Sequence, residues 1–193
     1  LSEEGYILQD LIPHLADFPG VCGRMEQIEA GQDFHVFVDY AHTPDGLLNV
    51  LSSLEELVTK RVISVFGCGG DRDRTKRPIM GEIASRFSDV VILTSDNPRS
   101  ERPEDVLDEI KKGIKPSRKK IDLRVVPNRN EAIRQAIEIA ATDDLVLIFG
   151  KGHEDYQIFG NHKIPFRDQE VARHWLREKC SHSAKSQKLA VEN

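Results

Sequence analysis

At 193 residues the chain has room for one ordinary domain, typically about 100–150 residues, with further segments at its ends. Its 39% hydrophobic and 31% charged residues supply a core and exclude collagen-like, coiled-coil and generally disordered chains. With 32 acidic against 27 basic residues the net charge is -5, so no global basic field supports nucleic-acid binding.

The opening stretch LSEEGYILQDLIPHL has no basic n-region, no long apolar run and no small-residue cleavage pattern. No signal peptide or membrane span is expected. A start at Leu1, inside an amphipathic segment, predicts a chain cut from something longer. Cys22, Cys68 and Cys180 are scattered and lack C-x-x-C spacing, which fits a reducing compartment and a cytoplasmic location.

From residue 34 onward, strands and helices alternate. Phe34 to Asp39 reads as a strand, Pro44 to Leu57 as a helix with Leu47, Leu48, Leu51 and Leu54 on one face, and Val62 to Phe66 as a strand. A helix is expected over Lys76 to Phe87, a fully apolar strand over Val90 to Thr94, and a helix over Pro103 to Ile114 opening with Glu104 and Asp105. A weaker strand at Leu123 to Val126, a helix at Asn130 to Ala141 and a buried strand at Leu145 to Phe149 follow. Tyr156 to Phe159 and Lys163 to Phe166 flank Gly160-Asn161 as a short hairpin, and Asp168 to Glu178 is the last helix. The polar residues 181–193 read as a flexible tail, and the basic run Lys111 to Lys120 as a solvated loop. Strands apolar on both faces and spaced by helices predict an α/β, Rossmann-like doubly wound, mostly parallel sheet with helices on both faces and a short C-terminal hairpin.

In such a sheet ligands bind outside the carboxyl ends of the strands. The loops there are Asp39 to Pro44, Gly67 to Arg72, Ser95 to Arg99 and Gly150 to Glu154. The glycine loop departs from G-x-G-x-x-G at Arg72, which excludes a nicotinamide dehydrogenase, and no P-loop spacing occurs. His153-Glu154 begins like H-E-x-x-H but ends at Gln157, so no metal site is expected. Arg72 and Arg99 suit carboxylates, while Asp96 and Glu154 suit an ammonium group, which together complement an amino acid. Arg74, Lys76 and Arg77 form a cation cluster suited to phosphate or to a solvated helix end. Cys68 reads as a small packing residue; His42 suits a nucleotide contact or a backbone-satisfied helix entry.

The segments GRME, DYAHTPDGL, VFGCGGDRDRTKRPIMG, TSDNPRSE, GKGHEDYQ and FRDQEVA, spread from about Pro19 to about Leu176, resemble the C-terminal domain of the Mur ligases, ATP-dependent amide-bond-forming enzymes of peptidoglycan and cell wall assembly. The likeness is nearest to the branch that adds meso-diaminopimelate to UDP-N-acetylmuramoyl-L-alanyl-D-glutamate through an acyl phosphate. It implies ATP contacts by Arg24, Asp39, His42 and Lys76, and a diaminopimelate pocket of Arg72, Asp96, Asn97, Arg99, Gly150 and Glu154. Diaminopimelate carries a second carboxylate that lysine lacks, and Arg99 in the Asp96-Asn97-Pro98-Arg99 motif is expected to pair with it. Removing one partner of such a pair costs on the order of 2 to 5 kcal/mol.

By this resemblance residues 1–18 are the end of a central ATPase domain and its hinge, and 19–180 the C-terminal domain. ATP and Mg2+ would belong to the full-length enzyme, with the metal ligands, the catalytic groups and the UDP-sugar site outside this chain. The chain alone is expected to be inactive and to contact neither nucleic acid nor membrane. An L-lysine-adding ligase and a non-catalytic, transcription-associated scaffold of the plastid type are the alternatives.

Overall fold

In the computed structural model, residues 20–54, 60–115 and 120–191 are described, with side chains through residue 182. The segment 1–18, the last turn of the first expected helix (55–57) and the middle of the basic run (116–119) lie outside them.

Five parallel strands form the sheet: β2 (His35–Asp39), β3 (Val62–Phe66), β4 (Val90–Leu93), β5 (Asp122–Val125) and β6 (Leu145–Phe149). Their order is β2-β6-β3-β4-β5, and a two-residue edge strand β1 (Glu26–Gln27) pairs antiparallel with β2, Glu26 opposite Val38. β3, β4 and β6 are buried at every residue, as their apolar sequences require, the one polar residue, Ser64 of β3, being paired with Ser88 at 2.7 Å, whereas the edge strand β5 is half exposed.

The period of two along each strand divides the core. Val36, Val38, Ile63, Val65, Ile92, Val146 and Ile148 face one side, where α4 (Arg129–Ile139) brings Ile133 and Ile137 and α5 (Asp168–Val191) brings Ala172 and Leu176. Phe66, Val91, Leu93, Leu147 and Phe149 face the other, against Leu47 and Leu51 of α1 (Pro44–Leu54), Met80 and Ala84 of α2 (Lys76–Phe87), and Leu107 and Ile110 of α3 (Pro103–Lys111). Each fully buried branched side chain contributes about 1.5–3 kcal/mol of transfer free energy.

Some boundaries differ from the sequence expectation. α3 stops at Lys111 rather than Ile114, in a turn that ends with Gly113 packed against Pro78. The last helix, expected to close at Glu178, continues through 181–191: no Gly or Pro interrupts it, and Ala184, Lys185, Gln187, Lys188 and Leu189 are strong helix formers. The hairpin strands are β7 (Tyr156–Phe159) and β8 (His162–Pro165), the second one residue earlier than its pattern suggested. No helix among the described residues is long and apolar enough to cross a membrane.

β3 and β6 are neighbours whose chains leave toward opposite faces, β3 into α2 and β6 through the hairpin into α5. That divergence opens a crevice at their carboxyl ends.

Candidate functional site: the strand-end cleft

A cleft of about 510 Å3 occupies this crevice, walled by the loops after β2, β3, β4 and β6. Arg72, Asp96, Asn97, Arg99, Gly150 and Glu154 all line it, as do His42 and Lys76; Arg24 and Asp39 do not. A larger recess of about 800 Å3 lies beside α3, between Arg74, Glu101, Arg102 and Glu109. Its principal charges are committed to each other, Arg74 to Glu109 and both acids to Arg77.

Close backbone approach shapes the cleft wall. An added Cβ at Gly67 would stand 1.9 Å from the Thr94 carbonyl oxygen, and one at Gly70 1.8 Å from that of Pro98, so only glycine lets the β3 loop press against the β4 loop. Arg77 fastens that loop from beneath. Its fully buried guanidinium donates to Gly69 O at 3.2 Å and to Glu101 Oε1 and Glu109 Oε2 at 2.7 Å. The expected cation cluster is therefore broken up: Arg74 and Arg77 are neutralised by acids of the α3 region, and Lys76 alone turns to the cleft, its Nζ donating to His42 O at 2.7 Å.

One end of the cleft is acidic and already holds a cation. Lys151, fully buried, places Nζ 2.9 Å from Glu154 Oε2, 3.2 Å from Asn97 Oδ1 and 3.5 Å from Asp96 Oδ1. The Asn97 amide donates to the same Glu154 oxygen at 2.9 Å, and Asn97 Oδ1 accepts from the Ile158 N–H at 3.0 Å. Burial alone would raise the Glu154 carboxyl above its ordinary value; the Lys151 and Asn97 hydrogen bonds outweigh it and hold the group below. Beneath lies a second buried cation, Arg129, paired with Asp168 at 2.7 Å and donating to Phe149 O at 2.9 Å. Sequence reasoning missed both. The only signal for Lys151 was its place between two glycines at a strand end; Arg129, behind the helix cap Asn128, gave none.

A further cation stands beside these acids: a Cβ added at Gly69 would lie 2.8 Å from Arg99 Nη1 and 3.8 Å from Asp96 Oδ2. Arg99 sits in the left-handed region (φ 52°), fixed by its N–H on Ile158 O at 3.0 Å and by Gly160 N–H on its own carbonyl at 2.6 Å. Its Nη1 donates to Gly70 O at 2.8 Å, and Nε and Nη2 have no acceptor among the described residues. Arg72 is exposed beside it, its one bond a 3.2 Å contact to Asp71 O.

The rim toward β2 combines rings and cations. Arg24 lies 4.8 Å over the Tyr40 ring, and Tyr40 sits 4.5 Å from His42 and 4.9 Å from His153 between centroids. His42 Nδ1 lies 2.8 Å from Tyr40 O, the backbone contact expected at a helix entry, and the ring is exposed. Asp39 is a brace below this surface. Both its oxygens accept backbone N–H groups, from Met25 and Ala41 at 2.8 Å, tying the Arg24 turn to the His42 loop. Exposed Arg24, half-buried Lys76 and the flat rings fit a nucleotide, whose phosphates need cations and whose base needs a stacking surface. No group of three His, Cys, Asp or Glu placed for a metal ion occurs among the described residues.

Residues 23–152 match the family described as Mur ligase, glutamate ligase domain. The chain is 54% identical over 165 residues to the UDP-N-acetylmuramoyl-L-alanyl-D-glutamate--2,6-diaminopimelate ligase of Syntrophomonas wolfei, covering 86% of this chain and 34% of that protein. It is 52% identical over 177 residues to the ligase of the same name from Thermosynechococcus vestitus, covering 91% and 35%. A solved structure of a 2,6-diaminopimelate ligase superposes with a TM-score of 0.77 at 40% identity, over 92% of this chain and 36% of that one. The chain thus spans about a third of the length of the curated relatives it matches.

Proposed function

The chain belongs to the Mur ligase family, and from that membership we propose that it is the amino-acid-holding part of a ligase that adds meso-diaminopimelate to UDP-N-acetylmuramoyl-L-alanyl-D-glutamate. The observation that carries this reading is a single cleft lined by the carboxylates Asp96 and Glu154 and, beside them, by Arg99, two of whose nitrogens have no acceptor among the described residues. An amino acid with a further carboxylate at its far end matches that set of charges; lysine would leave Arg99 unpaired.

Amide-bond formation needs a neutral amine held close to an activated carboxyl carbon. This chain's part is positional. Arg99 and Arg72 would grip carboxylates, Glu154 and Asp96 would fix an ammonium group, and Gly150, with φ 111° and nothing nearer its open side than Asp96 Cγ and Gly67 O at 4.0 Å, would let the ligand approach the backbone. Arg24, His42 and Lys76 would meet ATP from the rim, with Asp39 holding their loops, and ATP supplies the activation of the carboxyl when bound.

Backbone amide shifts followed by NMR test the assignment. Adding meso-diaminopimelate to the chain should move Asn97, Arg99, Gly150 and Glu154, and adding ATP should move Arg24, Tyr40 and His42. Diaminopimelate shifts confined to residues outside the cleft would contradict it.

A further inference from the structure

Lys151 has more acidic company than packing explains. Taking an ammonium out of water costs several kcal/mol even after relaxation, and one good partner with a few hydrogen bonds offsets it. Lys151 instead meets two carboxylates and an amide, and all three belong to the cleft. Its Nζ also lies 5.4 Å from the Tyr156 ring centroid. The other groups facing this cluster are Cys68 from the β3 loop, Arg99 from the β4 loop, and Arg129 from below, which is closed on Asp168. Asp96 and Glu154 bring two negative charges and Lys151 returns one positive charge, so one negative charge is left for a ligand ammonium group once Arg99 is engaged by a ligand carboxylate.

We infer that Lys151 is the positioning residue of the cleft: it fixes Asn97 and Glu154 and cancels one of the two carboxylate charges, so that a single negative charge faces a single ligand ammonium group. The identity of the ligand as an amino acid rests on the functional reading above; the role of Lys151 toward Glu154 does not. Without Lys151, the half-buried Glu154 carboxylate loses its closest cation while the Asp96 carboxylate remains on the same wall, which favours a proton on Glu154 that a ligand ammonium must displace. Binding then releases a proton and strengthens as pH rises, which the wild-type cleft avoids.

The test uses the 193-residue chain and two variants, Lys151→Met and Lys151→Gln, the second retaining a hydrogen-bond donor should the first fold poorly. In the ligand-free proteins, carboxyl carbon NMR should show Glu154 titrating higher in both variants than in wild type by about one unit or more. Calorimetry with meso-diaminopimelate in buffers of differing ionisation enthalpy should show binding weakened about tenfold or more and coupled to proton release in the variants, with none in wild type. A wild-type chain that ignores diaminopimelate contradicts the functional reading alone. A Glu154 titration unmoved in whichever variants fold, or variant binding of wild-type strength without proton release, overturns the inference.

Discussion

Arg129 and Asp168 form a closed pair beneath the cleft: Nε and Nη2 of the fully buried guanidinium each lie 2.7 Å from a carboxylate oxygen, and Nη2 also holds the last carbonyl of β6, Phe149 O, at 2.9 Å. The pair joins the start of α4 to the start of α5 and pins the strand end from which Gly150, Lys151 and Glu154 emerge.

Breaking this pair from one side leaves an uncompensated buried charge, which costs about 3–5 kcal/mol. Arg129→Met should therefore lower the urea midpoint sharply, and Arg129→Met with Asp168→Leu should cost less than the single change. A single variant within experimental error of wild type would show that the pair contributes nothing.

Arg77 makes part of the stability depend on acid. Its hydrogen bonds, with a further one from the Asp71 N–H, hold the Glu101 carboxyl down at about 2, against an ordinary 4.5. A depressed folded-state pKa gives stabilisation that is fully present above the unfolded value and is lost as pH falls toward the folded one. The gap in urea midpoint between wild type and Glu101→Gln should thus be constant above about pH 4.5 and should close on the way to about pH 2. A gap that persists unchanged at the acid end would contradict the assignment. Taking the difference matters because Glu109 and Glu131 are also held low by arginines.

Cys68 should be chemically quiet although it lies in the cleft wall. Burial pushes its thiol up to about 12, with the nearby Lys76 pulling it back less than burial raises it. Exposed Cys22 should take up an alkylating reagent in the native protein, and Cys68 only once denaturant is added. Peptide mass spectrometry of the labelled chain distinguishes the two; native labelling of Cys68 at the rate of Cys22 would show that the wall opens.

The parts of this fold legible in one dimension are those that depend on local pattern. VISVF, VVIL and LVLIF announce β3, β4 and β6 because both faces of a central parallel strand are apolar, and the turn chemistry after each marks a strand-end loop. β1 has no such signature, since two residues carry no period; it is placed by the Asp39 carboxylate pulling on the Met25 N–H fourteen residues earlier. Buried charges are hidden for a similar reason. Nothing near Arg77 or Arg129 in the chain says that each is enclosed, because their partners stand 24 and 39 residues away, and Lys151, though Glu154 is three residues on, is enclosed by Asn97 and Asp96, 54 and 55 residues earlier. An arginine at a helix start reads as solvated until the sheet brings its carboxylates to it. That the acidic and cationic loops meet at one strand-end cleft was legible, but not that Lys151 already engages Glu154.

The central claim is that Arg99 makes the cleft prefer an amino acid with a second carboxylate. Calorimetric titration of meso-diaminopimelate and of L-lysine into wild type and Arg99→Ala tests it most directly. The wild type should favour diaminopimelate by about tenfold or more, the size of one charge-assisted contact, and Arg99→Ala should abolish most of that preference by weakening diaminopimelate while leaving lysine nearly unchanged. Equal affinity for the two ligands in wild type, or a preference that survives in Arg99→Ala, would contradict it.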